Sequence, residues 1–122
     1  MKLKFATREL HPRRPFRIAR ARRHAVRNVF VQIEADGVTG FGEAAPSAYY
    51  HETTQGVAAR LGAVAPMLAG LRVRSGKDLA ETWEAAWELL APSRAAQCAI
   101  DLALWDWLGK QEGATAGELA WG

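Results

Sequence analysis

The sequence has few of the residues that covalent or metal-bound frameworks need. It contains one cysteine, Cys98, in a helix predicted to be buried, which excludes a disulfide framework and a cysteine metal site. No apolar run approaches the roughly 20 residues of a membrane span. The N-terminal stretch MKLKFATREL mixes charge throughout, unlike a signal peptide. These absences predict a cytoplasmic protein without a membrane partner.

Groups for catalysis are also scarce. The sequence has only four lysines, and its carboxylates form no cluster resembling a divalent-metal site. No Ser-His-Asp arrangement, phosphate-binding loop or pair of metal-ligating histidines is present. We therefore predict that this chain contains no catalytic residue and no metal ligand.

Positive charge is concentrated near the N-terminus. Ten of the sixteen Lys and Arg residues lie in the first 27 positions, accompanied there by one acid, Glu9. Such a block can be a nucleic-acid-binding arm. It can also be the wall of a pocket that attracts an anionic substrate, or a solvated edge strand and loop. The composition alone leaves these three interpretations open.

The first third of the chain shows the periodicity of β-strands. Apolar and polar residues alternate over residues 2–8 and 24–35, and residues 38–43 are predicted to be the strand that returns after a hairpin turn. Asp36 and Gly37 form a strong signal for a hairpin turn, and Gly40 and Gly42 leave room for a neighbouring backbone. Residues 16–23 are predicted to be an irregular basic loop. We expect a three-stranded antiparallel meander.

Helical spacing begins after residue 53. In the first helix Pro66 predicts a kink or an early end, with an apolar stripe formed by Val57, Leu61, Val64 and Leu68. Ser75 and Asp78 form a capping-box-like pair that opens the second helix. Its predicted buried side consists of Leu79, Trp83, Trp87 and Leu90. A long third helix and a short fourth over residues 116–122 complete an α+β domain, a meander followed by a three- to four-helix bundle.

The third helix, over residues 93–110, is the most apolar segment. It carries two neighbouring stripes, one formed by Cys98, Leu102 and Trp105 and the other by Ile100, Leu104 and Trp107. A helix that is apolar over most of its circumference is normally buried on more than one side. It is either a core helix of this domain, or it packs on this domain with one side and on a missing partner with the other.

The loop over residues 44–53 carries the other candidate functional residues. Tyr49 and Tyr50 are predicted to be exposed loop aromatics, which either contact a ligand or partner or pack in the core. His51 is either an exposed loop residue or a general base.

Three motifs follow one another along the chain: PFRIAR at residues 15–20, GFGEAAP at 40–46 and AIDLALWDWLGK at 99–110. Together they resemble the N-terminal capping domain of the enolase superfamily. Within it they resemble the muconate-lactonizing subgroup, and most closely the dipeptide epimerases of the L-Ala-D/L-Glu type. The resemblance covers residues 1–122 as one capping domain, with the meander in 1–45 and the helical part in 53–122.

The resemblance implies an isomerase whose chemistry lies outside this chain. In the family, a (β/α) barrel transfers the proton α to a carboxylate with paired lysines, and acidic residues hold Mg²⁺. Because such a barrel needs roughly 200 further residues, we expect the chain alone to be inactive and to bind no cofactor. The complete enzyme is expected to be a homo-oligomer that acts on a dipeptide or related carboxylate and binds no nucleic acid.

The resemblance also assigns roles to residues. Two loops, over residues 16–23 and 44–53, would close the mouth of the barrel and contact the distal part of the substrate. Arg20 would pair with a substrate carboxylate, with Arg22 and Arg23 as alternatives. The second lid wall would consist of Tyr49, Tyr50 and His51.

The same resemblance places the second stripe of the third helix (Ile100, Leu104 and Trp107) against the barrel or a returning C-terminal segment. The isolated chain would then expose an apolar patch and self-associate. Three alternatives stay open. The chain can cap another subgroup member (a cycloisomerase, an o-succinylbenzoate synthase or an N-acylamino acid racemase), act in trans on a separately encoded barrel, or be a basic module that binds nucleic acid.

Overall fold

The computed structural model describes residues 1–11, 16–18, 21–23 and 26–121 of the chain, with the side chains of residues 1–11 and 26–119. The described strands are β1 (Lys2–Leu10), β2 (Phe16–Ile18), β3 (Ala21–Arg23), β4 (Val26–Ala35) and β5 (Val38–Ala44). A 3₁₀ turn (Ala48–Tyr50) precedes helices α1 (Thr54–Ala69), α2 (Gly76–Leu90), α3 (Arg94–Glu112) and α4 (Ala116–Trp121). The predicted α+β class, a three-stranded antiparallel sheet followed by helices, is confirmed.

The main sheet has the order β1-β4-β5, and both pairs of strands are antiparallel. Between β4 and β5, Asp36 and Gly37 have φ values of 52° and 74°. This left-handed backbone is what a two-residue hairpin turn requires, and it suits the twist of the strands on either side. The predicted hairpin is therefore confirmed.

The prediction of an irregular loop over residues 16–23 is wrong for its described part. Strands β2 and β3 pair antiparallel, with Phe16 opposite Arg23 and Ile18 opposite Ala21. Strands of three residues are too short to show an alternating pattern, and arginine composition concealed them further. The strand predicted from His24 is described from Val26 onwards; His24 lies outside the described residues.

The sheet and α3 are in direct backbone contact at two glycines of β5. A Cβ atom at Gly42 would collide with the carbonyl oxygen of Ala99, and one at Gly40 would collide with that of Ala103. Close approach of this kind is possible only where neither residue of the strand has a side chain. The predicted role of these glycines is confirmed, and they fix where α3 lies on the sheet.

The two stripes of α3 have the opposite roles from those predicted. Ile100, Leu104 and Trp107 are fully buried within this domain, and the Trp107 indole Nε1–H donates to the Ala35 carbonyl at 3.0 Å. The other stripe lies towards solvent: Cys98 is exposed and Leu102 is 49% exposed. The assignment of the second stripe to a missing partner is wrong, and so is the burial predicted for Cys98.

The structure also differs from two predictions, one about α1 and one about α2. Pro66 lies inside α1, which continues to Ala69. The carbonyl that loses its hydrogen bond belongs to Gly62, which is on an exposed side of the helix where water can replace the bond. In α2, Thr82 and Ala86 are buried in place of Trp83 and Trp87, because small residues allow closer helix packing. The two tryptophan rings are half-buried and stack edge to face.

The outer edge of β5 is covered by two polar residues of α3. Asp106 Oδ2 accepts from the Phe41 N–H at 2.8 Å, and Lys110 Nζ donates to the Thr39 carbonyl at 2.9 Å and to Asp106 at 2.6 Å. Burial opposes ionisation of Asp106, but the bonds from Lys110 and Phe41, with the charge of Lys110, outweigh it and hold the pKa of Asp106 below its ordinary value. This clamp occupies an edge that would otherwise be free to pair with another strand.

Candidate functional site

The connections that carry the candidate residues leave the sheet at one end. Leu10, the last residue of β1, pairs with Val26, the first residue of β4, and Ala44 at the end of β5 pairs with Val29. The connection over residues 11–25 therefore departs from and returns to the end of the sheet at which residues 45–53 begin. We call this the loop end of the sheet.

The candidate arginines belong to the first of these connections. Arg20 lies outside the described residues. Arg22 and Arg23 lie in β3, where the backbone of Arg22 is opposite Arg17 and that of Arg23 is opposite Phe16. The basic residues are thus placed, by topology, in the connection that joins β1 to β4 at the loop end.

Tyr49, Tyr50 and His51 lie together on the 3₁₀ turn of the second connection. The turn begins at Ser47, whose Oγ accepts from the Tyr49 N–H at 3.3 Å, and ends at His51, whose φ of 59° is left-handed. The two tyrosine rings meet edge to face with centroids 4.9 Å apart, and they are 60% and 71% exposed. Three hydrogen-bonding side chains are therefore presented on one short turn.

Glu52 joins this turn to α3. Its Oε1 accepts from the Ser93 hydroxyl at 3.2 Å and from the Ala95 N–H at 3.1 Å. A cavity of about 290 Å³ lies beside it, lined among others by Tyr50, His51, Arg60 and Pro92. Glu52 was not among the residues predicted from the sequence. A single acid in a loop gives no sign that it reaches a helix 41 residues further along the chain.

A second polar pair lies where β4 and β5 reach the loop end. The buried side chain of Asn28 donates from Nδ2 to Glu43 Oε2 at 3.3 Å. A hydrogen bond to a charged acceptor is stronger than one between neutral groups. The pair therefore links β4, which follows the connection over residues 11–25, to β5, which precedes the turn bearing Tyr49, Tyr50 and His51 (the tyrosine turn). It too was missed, since the partners become neighbours only through the strand register.

The two connections at the loop end contain several residues whose side chains carry hydrogen-bond donors. Phenol hydroxyls, an imidazole and arginines donate hydrogen bonds to, or neutralise, carboxylates. Within the described part of the chain, no three His, Cys, Asp or Glu residues are grouped so that they could hold a metal ion.

A wider apolar groove lies along α3, away from the tyrosine turn. It encloses about 930 Å³ between the outward face of β5 and the exposed stripe of α3, with Phe30, Phe41, Leu102 and Trp105 among its lining residues. Asp101 lies on the same helix, and its burial raises its pKa although a hydrogen bond from Trp105 opposes the rise. None of the described helices is long and apolar enough to cross a membrane.

A three-stranded sheet followed by helices, with α3 packed on β5, is the architecture of the N-terminal capping domain of the enolase superfamily. Residues 2–120 match the family described as mandelate racemase / muconate lactonizing enzyme, N-terminal domain. The chain belongs to this family.

Dipeptide epimerases are among its relatives. The L-Ala-D/L-Glu epimerase of Escherichia coli K12 is 34% identical over 98 residues, which cover 80% of this chain and 27% of the relative. An enolase family member from Agrobacterium tumefaciens with homology to dipeptide epimerases, solved with bound sodium and L-Ala-L-Glu, is 30% identical with a TM-score of 0.81, covering 98% of this chain and 34% of that chain.

The dipeptide epimerase of Methylococcus capsulatus, solved with Mg and the dipeptide L-Arg-D-Lys, is 30% identical with a TM-score of 0.78. The match covers 92% of this chain and 32% of that one. The chain thus spans about a third of the length of these relatives.

Proposed function

We propose that residues 1–122 form the specificity lid of a magnesium-dependent dipeptide epimerase, with the meander in 1–45 and the helical part in 53–122. The complete enzyme transfers the proton α to a carboxylate, and its barrel follows this chain. The observation that carries the proposal is that both candidate loops leave the sheet at one end, as a lid with two walls requires. The family match and the relatives with bound dipeptides support the choice of reaction and substrate.

The lid contributes binding and exclusion of water. Arg20, with Arg22 or Arg23 as alternatives, neutralises a carboxylate on the distal part of the substrate. Tyr49, Tyr50 and His51 form the opposite wall. Expelling water from the closed site strengthens every electrostatic interaction inside it. The missing barrel would hold the Mg²⁺, which would supply stabilisation of negative charge on the substrate carboxylate.

The reaction is tested by proton exchange. In D₂O with L-Ala-L-Glu and Mg²⁺, we expect the complete protein to exchange the α-proton of the glutamate, which removes its signal from the ¹H NMR spectrum. Addition of EDTA should abolish the exchange, and the 122-residue chain alone should show none. Exchange by the chain alone contradicts the proposal, and so does a complete protein that exchanges no dipeptide of a panel varied at both residues.

Arginine variants test the lid role. In the complete enzyme, Arg20→Met should lower kcat/KM for L-Ala-L-Glu about 10- to 150-fold, because a hydrogen bond to a charged group contributes roughly 1.5–3 kcal/mol. Activity towards L-Ala-L-Ala, which lacks the side-chain carboxylate, should change little. Arg22→Met and Arg23→Met test the alternatives.

Arg72→Met is the matched control, because Arg72 lines a cavity together with Asp36, which lies in the turn at the opposite end of the sheet. If none of the three loop variants changes the preference for glutamate over alanine, the lid does not read this carboxylate through arginine.

A further inference from the structure

Glu52 occupies a junction between three elements. Its backbone N–H donates to the Ser47 carbonyl at 3.0 Å, which closes the tyrosine turn, while its carboxylate binds the first turn of α3. The next residue, Thr53, caps α1 by accepting from the Gly56 N–H at 3.0 Å. Glu52 and the adjacent Thr53 therefore connect the turn to the N-terminal ends of α3 and α1.

The contact with α3 provides the Glu52 carboxylate with two hydrogen-bond donors. The first N–H groups of a helix have no partner within the helix and carry the positive end of its dipole. Glu52 Oε1 accepts one of these N–H groups, that of Ala95, together with the hydroxyl of Ser93, the residue that caps the helix. Bonds to an ionised acceptor at such a position are stronger than those between neutral groups.

The position of α3 is itself rigid. Gly42 and Ala99 fix it against the sheet by backbone contact, so the first turn of α3 has a defined place relative to the loop end. The turn that carries Tyr49, Tyr50 and His51 is exposed and is held to this scaffold by the Glu52 carboxylate. The carboxylate thus attaches an exposed turn to a helix that is packed in the core.

We infer that Glu52 is a positioning residue of the lid, which holds the turn bearing Tyr49, Tyr50 and His51 at a fixed distance from α3. This inference rests on the proposed lid function. Because the turn is already ordered when the domain folds, substrate binding does not have to supply the entropy cost of ordering it. This is the advantage of a preorganised site.

Hydrogen exchange tests the anchoring in this chain without any assay of activity. The N–H groups of Tyr50 and His51 donate within the turn, to Ser47 at 3.0 Å and to Ala48 at 3.1 Å, so their exchange reports local opening. In Glu52→Ala we expect both amides to exchange about tenfold faster or more, with the amides of β4 unchanged. In Glu52→Gln, whose amide oxygen can still accept, the increase should be about threefold or less.

Kinetics of the complete enzyme then test the positioning role. Glu52→Ala should raise KM for the dipeptide about tenfold while kcat changes less than about twofold, because the lost contacts bind substrate and transition state alike. Glu52→Gln should restore KM to within about threefold of wild type. Ser75→Ala is the matched control: it removes the N-cap of α2 and lowers Tm, but should leave KM unchanged.

The outcomes separate this inference from the proposed function. Unchanged exchange of Tyr50 and His51 in Glu52→Ala overturns the inference whatever the kinetics show. Faster exchange with an unchanged KM in an active enzyme also overturns it, because the turn is then anchored without positioning the substrate. A wild-type complete protein that lacks epimerase activity overturns the proposed function, and the positioning role with it, whereas the exchange data would still establish the anchor.

Discussion

Gly42→Val should lower the free energy of unfolding of the chain by more than about 3 kcal/mol, the upper end of the usual cost of overpacking. The valine Cβ would collide with the carbonyl oxygen of Ala99 on α3. Neither the strand nor the helix can yield by rotating a side chain, because both sides of the contact are backbone. Since a domain is stabilised by about 5–15 kcal/mol in total, a large part of its stability would be lost. Urea denaturation followed by far-UV circular dichroism measures the change.

Gly62→Ala is the control for this experiment. Gly62 lies within α1 on an exposed side, and a Cβ there would meet nothing within 4 Å. Alanine is favoured over glycine inside a helix by about 0.5–1 kcal/mol, so this variant should be slightly more stable than wild type. If Gly42→Val costs no more than about 1 kcal/mol, the direct backbone contact between β5 and α3 is not present in solution.

The elements set by local chemistry could be predicted from the sequence. Alternation in β4 places Val29, Val31 and Ile33 on the buried face, and the Asp36–Gly37 pair supplies the left-handed turn that joins β4 to β5. Such signals depend only on residues a few positions apart, so they can be read without knowledge of long-range contacts. The same holds for Ser75, which accepts from the Asp78 N–H at the start of α2.

The orientation of α3 could not be predicted in this way. Periodicity identifies two apolar stripes, but it does not say which one the sheet covers. The small residues decide this, because Ala99 and Ala103 lie against the glycines of β5 and bring Trp107 into the core with them. The alanines of the helix and the glycines of the strand are the sequence signal for the buried side, because only small residues allow the two backbones to touch.

In the candidate site, too, local features could be predicted from the sequence, whereas long-range contacts could not. The loop over residues 44–53 could be predicted because polar and aromatic residues follow a strand there. The turn that presents Tyr49, Tyr50 and His51 lies within this loop. The residue that anchors the turn, Glu52, is recognisable only once α3 is in place, and its partners Ser93 and Ala95 are more than 40 positions away. Composition predicts which groups a surface can present, whereas long-range hydrogen bonds determine how they are held.

Replacement of the two tryptophans of α3 should separate its two stripes. Trp107→Ala should cost about 3–5 kcal/mol, because it opens a cavity in the core and removes the partner of the Ala35 carbonyl. Trp105→Ala should cost about 1 kcal/mol, because Trp105 is half-buried on the side of the exposed Leu102. Urea denaturation of both variants of the 122-residue chain measures the difference.

Self-association of the isolated chain should depend on Trp105 and not on Trp107, the reverse of their effects on stability. The exposed stripe of α3 and Phe41, which is 52% exposed, form an apolar surface of the kind that drives proteins to associate. Trp105→Ala should therefore reduce association of the isolated chain in sedimentation velocity at high concentration, although it hardly changes stability. Trp107→Phe should leave association unchanged, because Trp107 does not reach the surface. If Trp105→Ala destabilises the chain as much as Trp107→Ala, or if association does not depend on Trp105, the exposed stripe is not the surface that this domain offers to a partner.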